Sequence, residues 1–266
     1  GMGGFTSIAP LIAARRRGIP AFLHESNAIP GKANRLTARF CRSVLLGFDD
    51  CARHFAKSMT QVTGTPIRRE LTENVPTRAE ARRALGLAPH RKTLLVMGGS
   101  QGAAGINALM TQAAPYLSAA DLQVVHLAGE RDVETVQSAY TAAGVPAAVL
   151  PFCDRMQEVY PAADLAISRS GAASLGELSW FGLPSLLVPF PYAAEDHQRL
   201  NAEIFTRVGA ASMLAEKEAT GESLSRLLIS LLESPQSLTT MAAAAKALAP
   251  RDAAARVAAV LAEVKS

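Results

Sequence analysis

The sequence predicts a doubly wound α/β protein built on parallel sheets. Short β-rich runs alternate with longer helical stretches from Ala21 to Leu214. Several of those runs are apolar on both faces, as strands covered by helices on each side must be. Small-residue turns follow some of them, where open α/β sheets bind their ligands.

In chain order the expected strands are Ala21–His24, Ser43–Leu46, Thr60–Val62, Thr93–Met97, Val124–Leu127, Ala148–Leu150, Leu165–Ser168, Ser185–Val188 and Ala211–Leu214. A boundary is expected near Gly64-Thr65-Pro66. A charged stretch follows through Arg91, with a helix of the Thr77–Leu87 type. Beyond Ala215 the strands stop. Three helical segments remain, broken at Ser234-Pro235 and Ala249-Pro250. The Ala-rich run Met241–Leu248 is helical because Ala is the best helix former. The division expected is therefore 1–66, 67–248 and 249–266, the last a helix returning to the first part. Residues 1–66 hold few strands for a doubly wound domain and read as the back half of one.

The 266 residues suffice for two compact α/β domains. A hydrophobic content of 49% with 19% charged residues excludes a disordered chain. No apolar run is long enough to span a bilayer, and no secretory signal is expected. Cys41, Cys51 and Cys153 form no Cys-x-x-Cys pair and are expected as reduced thiols of a cytosolic protein. The formal charge of +4 suits phosphates or an anionic membrane surface without requiring nucleic acid. The few aromatics are not interleaved with basic residues, which argues against a single-strand binding platform.

The richest segment is Ser168-Arg169-Ser170-Gly171-Ala172-Ala173-Ser174-Leu175-Gly176-Glu177. It reads as strand, small-residue turn and helix start. The helix N-terminus suits a phosphate. Ser174 and Glu177 share a helix face, where a hydroxyl and a carboxylate could hold phosphate and ribose. A second turn, Met97-Gly98-Gly99-Ser100-Gln101-Gly102-Ala103, also joins a strand to a helix, but it is neither a Walker loop nor a dinucleotide fingerprint. A third, Pro189 to Asn201, offers Asp196, His197, Gln198 and Asn201 to sugar hydroxyls, although its acids are also ordinary first-turn residues.

Other features each have a plain structural alternative. His24-Glu25-Ser26-Asn27 ends a strand in polar residues with no metal-ligand spacing, and these could simply be satisfied loop polars. Arg68 could stack on a base or pair with a phosphate, or be a surface arginine. Leu11 to Arg17, with Arg15, Arg16 and Arg17 consecutive, could rest on an anionic membrane or be a buried helix with a solvated end.

Taken in order, Gly3-Gly4-Phe5, His24-Glu25-Ser26-Asn27, Gly64-Thr65-Pro66-Ile67-Arg68, Gly98-Gly99-Ser100-Gln101-Gly102, Ser168-Arg169-Ser170-Gly171-Ala172, Glu177-Leu178, Pro189-Phe190-Pro191, Asp196-His197-Gln198 and Asn201-Ala202 closely resemble the MurG family of peptidoglycan N-acetylglucosaminyltransferases. The likeness covers essentially the whole chain. It implies the GT-B fold, two doubly wound domains facing a cleft, and inverting transfer of N-acetylglucosamine from its UDP donor to lipid-linked N-acetylmuramyl-pentapeptide (lipid I to lipid II). It implies no cofactor and no metal, and a peripheral place on the cytoplasmic face of the bacterial inner membrane.

Residue by residue, the resemblance implies donor contacts at Asn27, Arg68, Ser100, Cys153, Ala172, Ala173, Ser174, Glu177, His197 and Gln198. Ser100 would meet the donor phosphate, Glu177 the ribose diol, and the segment around Cys153 the uracil. On the acceptor and membrane side it implies Gly3, Gly4, Ser7, His24, Glu25, Arg15, Arg16 and Arg17. No catalytic base is named. Two departures stand out. The family's opening Gly-Gly-Thr-Gly-Gly-His loop is not in this sequence, so the chain is expected to be the later part of a longer protein. The acceptor-side loop Gly3-Gly4-Phe5-Thr6-Ser7-Ile8-Ala9-Pro10 has its proline displaced. A donor-binding module without transfer activity and a UDP-sugar epimerase on the same fold are the competing readings.

Overall fold

A computed structural model describes residues 1–99, 103–249 and 251–264. Every expected strand is present, with ends shifted by at most two residues: β1 Phe22–Glu25, β2 Ser43–Leu46, β3 Thr60–Val62, β4 Lys92–Met97, β5 Leu122–Leu127, β6 Ala147–Leu150, β7 Leu165–Ser168, β8 Ser185–Leu187 and β9 Ala211–Met213. The helices are α1 Ile8–Arg16, α2 Lys32–Thr37, α3 Arg78–Ala84, α4 Ala104–Leu117, α5 Val133–Ala143, α6 Met156–Val159, α7 Ala172–Phe181, α8 His197–Arg207, α9 Gly221–Leu232, α10 Pro235–Leu248 and α11 Ala253–Ala262.

Local chemistry sets several of these ends. Thr77 and Glu80 close a capping box on α3, and Thr220 and Ser223 do the same on α9. Pro235 stands in the first turn of α10, where its missing N–H costs nothing. Gly182 ends α7 in the left-handed conformation.

All strand pairs are parallel, in two sheets. The smaller has the order β1-β2-β3, and the larger the order β6-β5-β4-β7-β8-β9. In the larger sheet the chain winds outward from β4 to β6, then returns to the other side of β4 and winds outward again from β7. The order therefore reverses between β4 and β7, which opens a crevice at their carboxyl ends. Register aligns that crevice: Met97 lies opposite both Leu127 and Ser168.

Alternation along β4 fills both faces. Leu94 and Val96 pack with Ile106, Met110 and Leu117 of α4 and Leu224 and Leu228 of α9. Leu95 and Met97 pack with Leu175 and Leu178 of α7, Phe205 of α8 and Tyr160. Each such buried side chain contributes about 2 kcal/mol. The small sheet has its own core of Leu11, Leu23, Val44, Leu46, Cys51 and Phe55.

The two sheets' bodies also touch. Ala28 is buried in the larger sheet's core, and the Phe48 ring meets Phe205 edge-on with centroids 6.3 Å apart. Ion pairs Arg35–Glu195 and Arg207–Asp50, each 2.8 Å, cross the same joint. Leu248 and Ala249, at the end of α10, line a groove with Gly47 and Phe48. Among the described residues no helix is long and apolar enough to cross a membrane.

Candidate active site

At the β4/β7 reversal lies a cleft of about 390 Å³. Its floor and one wall are apolar, from Met97, Leu127, Pro151, Phe152 and Met156. Its polar edge carries Arg68, Cys153, Ser174 and Glu177, with Ala173 beside them. The structure thus brings five of the expected donor residues together from segments up to about a hundred residues apart in sequence.

Turn geometry makes the crevice. A side chain on Gly98 would place its Cβ 2.5 Å from the backbone nitrogen of Ala103, so only glycine permits so tight a return. Gly99 follows with φ +93°, the left-handed side of the map. Ser100, the expected phosphate ligand in this turn, lies outside the described residues. On the neighbouring strand, Gly171 begins α7 with no side-chain cap. The first N–H groups of α7 are therefore open to a ligand at the positive end of the helix dipole. Ala173 and Ser174 stand at that end, and Glu177 one turn further on.

Glu177 is held from two directions. The Tyr160 hydroxyl donates to Oε2 at 2.6 Å, and Arg68 Nη2 donates to Oε1 at 3.3 Å. Tyr160 is buried, stacked on Phe181 with centroids 4.8 Å apart. Burial first, then the neighbouring Glu177 charge, push its pKa well up, so it stays a donor. Arg68 is 61% exposed at its side chain, and its ion pair is correspondingly weak. Burial also raises the Cys153 thiol, which suits a neutral lining residue and not a nucleophile.

The third turn, with His197 and Gln198, lines no part of this cleft and follows a strained path. Glu195 and Asp196 have φ of +53° and +55°, and α8 starts immediately after. His197 Nδ1 donates to the Ala194 carbonyl at 2.8 Å, which leaves Nε2 for a ligand. Gln198 corrects an expectation. Its Oε1 accepts from Phe190 N at 2.9 Å and Ser170 N at 3.3 Å, so it ties two turns together and keeps only its Nε2 donors for a sugar.

Three other expected residues are occupied by protein partners. Glu25 is buried, and its carboxylate accepts from Asn27 N, Asn27 Nδ2, Gly31 N and Asn34 Nδ2 at 2.7–3.1 Å. His24 Nε2 donates to Gly64 O at 2.9 Å, and Nδ1 accepts from Ser26 Oγ at 3.2 Å. Both therefore brace the loop after β1. Asn27 stands on the first sheet's side, with Oδ1 accepting from Asn201 at 3.1 Å. Ala172 lines the groove between the two bodies and not the cleft.

Gly3 approaches the Asn34 side chain, Gly4 has φ +76°, and Ser7 Oγ donates to Gly3 O. The Gly3–Ser7 loop thus lies beside Asn34, which donates to Glu25. Arg15, Arg16 and Arg17 are all exposed at the end of α1, and Phe5 and Ile19 are exposed near them in sequence.

Sequence reasoning missed Tyr160 and Phe152. Tyr160 looks like any core aromatic, because its partner Glu177 lies 17 residues away. Phe152 is 54% exposed beside Cys153, and its neighbour Pro151 was the one signal of a loop there.

Two parallel α/β bodies packed together, the larger with a cleft at its strand-order reversal, have the GT-B architecture. Residues 93–257 match the glycosyltransferase family 28 C-terminal domain, and residues 1–46 match the family 28 N-terminal domain. The UDP-N-acetylglucosamine--N-acetylmuramyl-(pentapeptide) pyrophosphoryl-undecaprenol N-acetylglucosamine transferase of Trichormus variabilis is 42% identical over 98% of this chain and 71% of its own length. That of Pelobacter propionicus is 39% identical, covering 96% and 71%. The crystal structure of Acinetobacter baumannii MurG superimposes with a TM-score of 0.81 at 31% identity, over 99% of this chain and 74% of that one. The chain belongs to this MurG family. A UDP-GlcNAc 2-epimerase from Neisseria meningitidis shares the fold alone, at a TM-score of 0.74 and 15% identity over 98% and 75% of the two chains.

Proposed function

We propose that this chain binds UDP-N-acetylglucosamine in the β4/β7 cleft and transfers N-acetylglucosamine to lipid I, giving lipid II. The observation that carries the reading is Glu177, a carboxylate on the polar edge of an apolar cleft, one turn beyond an open helix N-terminus. Uracil would lie against Leu127, Pro151 and Phe152, within reach of the backbone at Cys153. The ribose diol would meet Glu177, and the diphosphate the N-termini of α7 and α4. The sugar would extend toward His197 Nε2.

Residues 67–248 would supply the donor domain and 1–66 the acceptor side, with 249–266 returning to the first part. Asn27 would lie across from the donor near the transferred sugar, and the Gly3–Ser7 loop would face the acceptor. The acceptor hydroxyl attacks the anomeric carbon from the face opposite UDP. A bond from that oxygen to the sugar forms as the bond from the sugar to the phosphate oxygen breaks, with inversion, and a base removes the hydroxyl proton. Charge developing on the departing UDP is met by helix N-terminal N–H groups already in place. The exposed Arg15-Arg16-Arg17 run would hold the protein at the anionic cytoplasmic surface where a lipid-linked acceptor resides. Nucleic acid has no part in this reading.

Incubation with UDP-N-acetylglucosamine and a lipid I analogue tests the proposal. Formation of the disaccharide product is expected. Donor binding without product would make the chain a donor-binding module, and free sugar released from donor alone would favour an epimerase.

A further inference from the structure

We propose that Tyr160 is the positioning residue that fixes Glu177 for the ribose diol and so sets a preference for ribonucleotide over 2′-deoxyribonucleotide donors. The inference rests on reading Glu177 as the ribose ligand. Tyr160 follows α6 and is closed in on both sides: its ring stacks on Phe181 at 24° between planes, and its hydroxyl lies 3.7 Å from Met97 Sδ. So confined, the hydroxyl has one strong acceptor, Glu177 Oε2, at a 2.6 Å separation typical of a charge-assisted O–H···O⁻ bond.

That bond fixes the plane of the carboxylate. Each oxygen retains a lone pair for an incoming hydroxyl. The other protein partner, Arg68, is an exposed side chain 3.3 Å from Oε1 and is easily displaced by a ligand. Without the Tyr160 hydroxyl, Glu177 would be free to rotate outward and take Arg68 on both oxygens, in competition with the ribose. Tyr160 then acts on selectivity through Glu177. The raised pKa of the phenol keeps the proton in place across the working pH range.

Calorimetric Kd values for UDP and 2′-deoxy-UDP in the wild type, Tyr160→Phe and Glu177→Ala decide the matter. Phenylalanine keeps the stack on Phe181, and thermal melting checks that the variants are folded. A wild-type preference for UDP of about tenfold or more is expected from one hydrogen bond to a charged group. Glu177→Ala should abolish it. Tyr160→Phe should cut it to about threefold or less, with UDP weakened several-fold more than 2′-deoxy-UDP, which presents only its 3′-hydroxyl to Glu177. Equal weakening of both ligands by Tyr160→Phe would mean a merely structural role and overturn the proposal, as would an unchanged preference. An unchanged preference in Glu177→Ala would instead remove the ribose assignment itself.

Discussion

Asn201 donates a 3.1 Å hydrogen bond to the side chain of Asn27, 174 residues earlier in the chain. The same carboxamide accepts from Ala28 N at 2.8 Å and donates to Ser170 O at 3.1 Å. One fully buried side chain on α8 therefore joins the loop after β1 to the turn that opens α7. The sequence suggested a sugar ligand at this position; in the structure the residue ties the two bodies together.

Asn201→Ala should strand the Ala28 N–H and the Ser170 carbonyl, at a cost of about 3 kcal/mol in all. Urea unfolding should show a lower midpoint with an unchanged slope. A loss below about 0.5 kcal/mol would show that water or local movement satisfies those groups.

His197 and Gln198 should separate as single variants. His197→Ala should weaken UDP-N-acetylglucosamine binding about tenfold and leave UDP nearly unchanged, because only Nε2 faces outward from its bond to Ala194. Gln198→Ala should weaken both ligands, since its Oε1 holds Ser170 N and Phe190 N beside the phosphate turn. Calorimetry with both ligands checks this, and loss of UDP affinity in His197→Ala would contradict the assignment.

His126 should make stability fall in acid. It is buried between Tyr140 Oη and Asn107 Oδ1, each at 3.0 Å, and burial lowers its pKa to about 3. An unfolded histidine titrates near pH 6.5, at roughly the ordinary value, so the unfolded chain takes up the proton first. The contribution is complete above about pH 6.5 and is lost as pH falls toward 3, which amounts to about 2 kcal/mol between pH 6.5 and 5. Urea midpoints at pH 7 and 5 should converge in His126→Gln. An equal acid loss in wild type and variant would place the effect elsewhere.

Replacing Arg15, Arg16 and Arg17 together with Ser should reduce binding to phosphatidylglycerol vesicles by about two orders of magnitude at low salt, at about 1 kcal/mol per basic residue. The difference should shrink as salt screens the surface. Equal vesicle sedimentation of both forms would leave the run as a solvated helix end.

Most strands were legible because they are short apolar runs ended by a turn residue, and a buried parallel sheet leaves little polar alternation to confuse the pattern; β3, Thr60-Gln61-Val62, is the polar exception. The Ser170–Glu177 segment was legible for a similar reason: strand, turn, cap and helix are contiguous. Contacts made across the fold were not. Tyr160 and Glu177 meet only because α7 packs beside the turn after α6, and no spacing rule encodes that. His24 and Glu25 looked like cleft residues because they end a strand. The donors from Asn27, Gly31 and Asn34 that bury Glu25 come from a loop whose path the sequence does not reveal.

The central claim is that the β4/β7 cleft holds the UDP-sugar through Glu177. Titration of UDP-N-acetylglucosamine into the wild type and Glu177→Ala by calorimetry tests it most directly. The account predicts saturable one-to-one binding by the wild type, weakened at least about tenfold in the variant by loss of the hydrogen bonds to a charged group. Equal affinity in the two folded proteins would contradict it.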